Sequence, residues 1–204
     1  MATKLLQVMA LLYRMESEDT VALEQQLLER RKQAWLLMLA DQAARYGCNR
    51  TPEPPRKQDL TELKRMSKED ATGIMTTWNK DIERQLQKLY DANPRGNRVY
   101  YAANMERWAR ERGQWKNAQI ALQTEQSTRY YAKMRFFEMN TIRPRFKFVG
   151  PPPVCEVCLD HFGAGIVDMQ YITRNPSPVH PNCPHEWQEA VIADIPCDQL
   201  WLGE

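Results

Sequence analysis

Apolar residues recur near a 3.6-residue period over most of the first 140 positions, and that period predicts a helical body. Over residues 20 to 46, Val21, Leu27, Leu28, Trp35, Leu39 and Ala43 form such a stripe. Glu18 and Asp19 suit the positive N-terminal end of this helix, and Arg45 and Gly47 suit its stop. The segment before it, residues 1 to 19, has a lysine and a short apolar run like those of a signal peptide. Gln7 interrupts the run and no small-residue cleavage site follows, so it reads as an amphipathic helix. "CNRTPEPPRKQD" cannot continue a helix, because proline lacks an amide donor and clashes with the preceding turn. A second stripe, Ile74, Trp78, Ile82, Leu86 and Leu89, follows Ser67 and Asp70, a pair spaced as a capping box. "NPRGN" ends it, and helices over 98–112 and 114–139 are predicted on either side of Gly113.

The period then changes. In "RPRFKFVGPPP", Phe146 and Phe148 alternate with basic residues as in a strand, and a stiff bend follows. Beyond it "GAGIVDMQYI" reads as a strand and "RNPSPVHPNCP" as a turn-rich return. The expected fold is mainly α, a helical N-terminal body followed by a small loop-rich α+β module resembling a zinc ribbon. Its parts are an N-terminal helical region 1–47, a Pro-rich linker with a short helix 48–66, a helical body 67–145 and a metal-stapled module 146–204.

Composition narrows this reading. Apolar residues make up 43% and charged residues 26%, which excludes the low-hydrophobicity, high-charge pattern of disorder. No apolar run approaches the ~20 residues that cross a bilayer, so no membrane span is expected. The net charge of +2 hides a polarity along the chain. Residues 45–147 carry 22 basic and 12 acidic side chains, whereas residues 148–204 carry 1 and 8. A basic middle suits a polyanion or an acidic partner, although solvated helix faces also favour arginine. Arg107, Arg110, Arg112 and Lys116 form one group for such a contact, and Arg143, Arg145 and Lys147 a second. Aromatic residues between the basic ones offer stacking to single-stranded nucleic acid, but at helical spacing they also read as core.

All three histidines and three of the five cysteines fall within residues 154–187. Cys155 and Cys158 form C-x2-C, and His180 and Cys183 form H-x2-C after 21 intervening residues. Two such pairs let two tight turns each present two ligands, which completes the tetrahedron of a structural zinc. His185 competes with His180 as the fourth ligand. A disulfide between Cys155 and Cys158 is the rival to metal. Five cysteines, an odd number, with two in a C-x2-C pair argue against a disulfide framework and for a reducing compartment. Cys48 and Cys197 read as ordinary buried or free thiols. A filled ligand set leaves no open position for hydrolysis, and the H-x-E then P-C-x-x-C order of zinc deaminases is missing. No catalytic residues are assigned.

Two segments carry a resemblance. "AQIALQTEQSTRYYA" at 118–132, with Thr124 and Glu125, and "FKFVGPPPVCEVCLDHFGAGI" followed by "PSPVHPNCPHEW" resemble the phage head-morphogenesis family, the Mu F-like minor head proteins. The resemblance spans residues 118 to 187. Gln123 stands where the family often has arginine, and His185 where it has a second cysteine after H-P-x-C. The resemblance implies a non-enzymatic virion component, made in the host cytoplasm and assembled in multiple copies into the head near the portal vertex. Portal and capsid proteins would be its partners, with packaged double-stranded DNA as a further contact. Two other classes fit the residues alone: a zinc-ribbon regulator binding nucleic acid through residues 45–147, and a metal-dependent nuclease using Asp160 and His161.

Overall fold

A computed structural model of the chain describes residues 17–152, 155–177, 183–190 and 195–203. The expected amphipathic helix at the start of the chain and His180 lie outside them. The fold is mainly α, with a small loop-rich C-terminal region holding a short three-stranded sheet. Helices α1 (Ser17–Arg45), α2 (Lys57–Ala92) and α3 (Arg98–Met139) come first. Then follow β1 (Phe146–Val149), α4 (Glu156–Gly163), β2 (Ile166–Val167), α5 (Met169–Arg174), β3 (Glu186–Glu189) and a 3-10 turn, Cys197–Gln199.

Three sequence expectations change. Ser67 is not a cap: it is fully buried inside α2, which starts at Lys57 directly after the prolines. The predicted short helix and the helix after it are therefore one. Gly113 does not interrupt α3, because a lone glycine costs a helix only about 1 kcal/mol and removes no hydrogen bond. The strand predicted across "GAGIVDMQYI" is limited to Ile166–Val167, because the Asp168 side chain accepts the Tyr171 amide at 2.9 Å and starts α5.

Two compact units divide the chain. The first holds described residues 17–28 and 64–118. In it α2 and the first part of α3 form a hairpin, with the Asn97 side chain capping α3 by accepting the Tyr100 amide at 3.0 Å. Ile82, Leu86, Tyr101 and Met105 make its core, and Trp78 stacks on Trp108 with ring centroids 5.5 Å apart. Most aromatic residues of this stretch are thus core, while Trp115 is half exposed beneath the Arg112 guanidinium.

The second unit holds residues 29–63 and those from 119 onward. Trp35, fully buried, packs against Tyr131 and edge-on against Trp201. Buried Arg31 donates to Thr128 Oγ1 at 2.6 Å and Ser127 Oγ at 3.1 Å. Fully buried Asp59 accepts from Tyr131 and Arg135. At the end of α3, Thr141 adopts φ 54° while the Ile142 amide reaches back to Phe137 O at 2.9 Å, turning the chain into β1. The sheet order is β2-β1-β3, antiparallel throughout, with Phe146 opposite Val167 and Glu189, and Phe148 opposite Trp187.

Cys48 and Cys197, expected as separate thiols, form a disulfide. They are 149 positions apart, so no local spacing announces the bond. It is built by the end of α1, where Gly47 takes φ 67° and the Cys48 amide returns to Ala43 O at 2.8 Å. That turn places Cys48 against the returning C-terminal segment. The bond removes the ground on which a reducing compartment was inferred, and accounts for two of the five cysteines.

Candidate metal centre

The other three cysteines gather in the second unit. Cys155 is the N-cap of α4, its sulfur accepting the Cys158 amide at 3.4 Å. The C-x2-C spacing thus becomes a helix N-terminus, which places Cys158 one turn inside, fully buried. Cys183 and His185 arrive on the approach to β3. The Cys158 and Cys183 sulfurs are 3.8 Å apart, and Cys183 Sγ is 3.5 Å from His185 Nδ1. These three ligand atoms lie within 4.8 Å of one another and all three residues are buried, so the cluster can hold a metal ion. Cys155, half-buried, stands beside Cys158 just outside the tight trio.

His185 is oriented for this role. Its Nε2 lies 2.8 Å from the Pro151 carbonyl, an acceptor only, so Nε2 carries the proton and Nδ1 presents its lone pair to the sulfurs. Gly150 makes the approach possible. Its φ is 149°, and a Cβ there would come within 2.3 Å of His185 Cδ2. The ring also stacks on Phe148 at 5.4 Å, and the Ser177 hydroxyl donates to the His185 carbonyl at 2.7 Å. Of the two histidines in competition, His185 stands at the centre, and His180 lies outside the described residues.

Burial pushes the Cys158 thiol well above its ordinary range, and the neighbouring Cys155 and Cys183 push it further. Such a thiol gives up its proton readily only to a cation placed against the sulfur. His161, buried among Phe148, Tyr171 and Trp187, has its pKa lowered by desolvation and does not join the trio. A cavity of about 170 Å³ adjoins the centre, with Cys183, His185, Lys133 and Gln126 in its wall. Buried Lys133 donates to Trp187 O at 2.6 Å, tying α3 to β3 behind the ligands. Desolvation lowers its pKa to about 8.

The basic candidates separate. Arg112 and Lys116 turn inward to Asp81, at 3.3 and 2.8 Å, and Arg110 pairs with Glu106 at 3.3 Å. Arg107 stays exposed, as do Arg143, Arg145 and Lys147. Sequence reasoning missed Asp81 and the placing of His185 by Gly150 and Pro151. A glycine beside three prolines was visible, but its histidine partner lies 35 positions on. Among the described residues no helix is long and apolar enough to cross a membrane. No family model, curated protein or solved structure matches this chain.

Proposed function

We propose that this chain is a structural minor head protein of a tailed phage, sited near the portal vertex, with its C-terminal region held by a structural zinc. The metal identity rests on one observation. Zinc binds thiolate sulfur at about 2.3 Å and imidazole nitrogen at about 2.0–2.1 Å, so a tetrahedral site has S···S edges of about 3.8 Å and S···N edges of about 3.5–3.6 Å. The Cys158–Cys183 and Cys183–His185 separations, 3.8 and 3.5 Å, fit those edges. Cys155, the N-cap residue one helical turn from Cys158, is the fourth ligand in this reading.

Zinc bound here would contribute folding energy, on the order of 10 kcal/mol in apparent terms. Burial of all three donors favours an architectural role over a hydrolytic one, which needs an open position for water.

The virion assignment is supported by the resemblance over residues 118–187. From residue 119 on, the resembling segments belong to the second unit, where the helix that carries the signature bonds to the C-terminal region: Tyr130 donates to Ile172 O at 2.7 Å, and Lys133, just past the signature, to Trp187 O. A helix that carries a metal-held cap suits a scaffold that is assembled once and does not turn over. The test is purification of phage heads from a host expressing the tagged chain. Co-sedimentation with portal-containing heads in fixed low copy is expected, and a chain found only free in the lysate would sink the assignment.

A further inference from the structure

From residue 141 to 148 exposure alternates without a break: Ile142, Pro144, Phe146 and Phe148 are buried, while Arg143, Arg145 and Lys147 are exposed. This is the period of an extended chain, so the three cations stand on one face about 6.6–6.8 Å apart. Lys147 lies on β1, the central strand, and Arg145 and Arg143 precede it, so the row runs onto the sheet's outer face from the start of that strand. Ile166 on β2 and Gln188 on β3, the two register partners of Lys147, flank it.

Among the described residues, no ion pair or side-chain hydrogen bond reaches Arg143, Arg145 or Lys147. Acid is not scarce nearby, since residues 148–204 hold 8 carboxylate side chains against one cation. Glu186, at the far end of the face, accepts instead from Gln188 at 2.7 Å. By contrast, Arg112 and Lys116 share the Asp81 carboxylate, and Arg110 pairs with Glu106. The face therefore carries three cations that no ion pair among the described residues engages, with the Glu186 carboxylate at its far end.

We propose that this face binds the phosphate backbone of double-stranded nucleic acid without reading its sequence. A duplex strand rises about 3.4 Å per phosphate, so each two-residue step of the row spans about two phosphates. Among the described residues of this face, Arg143, Arg145, Lys147, Ile166, Glu186 and Gln188, none carries an aromatic ring on which unpaired bases could stack, which favours duplex over single strands. Three cations at this spacing meet phosphates and carry no base-reading pattern of their own, so the proposed contact is with the backbone. This adds a nucleic-acid contact to the head-protein reading and does not depend on it, since the face can bind duplex whether or not the chain enters a particle.

The test is fluorescence anisotropy of the full chain with a labelled duplex of arbitrary sequence, titrated at several salt concentrations. Three phosphate contacts predict a slope of log affinity against log salt of about −2.7. Lys147→Gln, a change at an exposed position, should make the slope shallower by about 0.9, and the triple variant R143Q/R145Q/K147Q should flatten it to near zero. An unchanged slope in Lys147→Gln, or no salt-dependent binding by the parent chain, overturns the proposal. Tighter binding of polyglutamate than of duplex also overturns it, in favour of an acidic protein partner.

Discussion

At the scale of single residues, the centre depends on side chains whose neighbours leave them little choice. Cys183→Ser keeps the volume but replaces a thiolate with a poor zinc ligand. It should abolish stoichiometric metal and speed amide exchange in residues 155–190, with the hairpin of residues 64–118 unchanged; hydrogen exchange read by mass spectrometry checks both. Gly150→Ala is a subtler probe, because its methyl would overlap the His185 ring and its φ of 149° is costly for any side chain. A loss of about 1–3 kcal/mol in denaturant unfolding is expected. Much of this site was legible beforehand. Cys155, Cys158 and Cys183 announce themselves by the spacing of the C-x2-C and H-x2-C pairs, and His185 is visible as the competitor of His180. Gly150 and Pro151 do not, because their role exists only once β1 and β3 are paired.

At the scale of elements, long helices followed the apolar period, and errors arose where a local signal competed with it. Ser67 and Asp70 have capping chemistry, but the stripe continues through them and burial decides. Gly113 weakens α3 without cutting it. In the α2–α3 hairpin, Asp81 is nearly buried and faces Lys116, Arg112 and Arg84. Burial alone would push its carboxyl up, but hydrogen bonds and charge from Lys116 and Arg112 prevail and hold it below the usual range. A carboxyl depressed by folding adds stability that is present above its unfolded pKa of about 3.9 and fades as pH falls through the lower folded value. Acid titration followed by circular dichroism should show the parent chain losing stability below about pH 4, and Asp81→Asn showing less of that acid loss from a lower starting stability.

At the scale of the whole molecule, the disulfide was the feature least accessible to sequence, because Cys48 and Cys197 meet only after both chain returns are in place. It closes a loop of 149 residues, for which chain entropy in the unfolded state allows a contribution of up to about 5 kcal/mol, with about 2–4 more typical. Further contacts hold the same returning segment: Arg50 donates to Leu200 O at 2.9 Å, the Glu53 amide to Leu202 O at 2.8 Å, and the Trp201 amide to Asn140 at 2.7 Å. Cys48→Ser should therefore lower the melting temperature by several degrees without unfolding the chain at room temperature, and scanning calorimetry under non-reducing conditions reads that difference. The central claim, that thiolate and imidazole groups grip one ion, is met most directly by X-ray absorption at the zinc edge on protein purified without chelator. The predicted result is one zinc per chain with a mixed shell of sulfur at about 2.3 Å and nitrogen at about 2.0–2.1 Å. Absence of zinc, or a shell of oxygen and nitrogen alone, would contradict it.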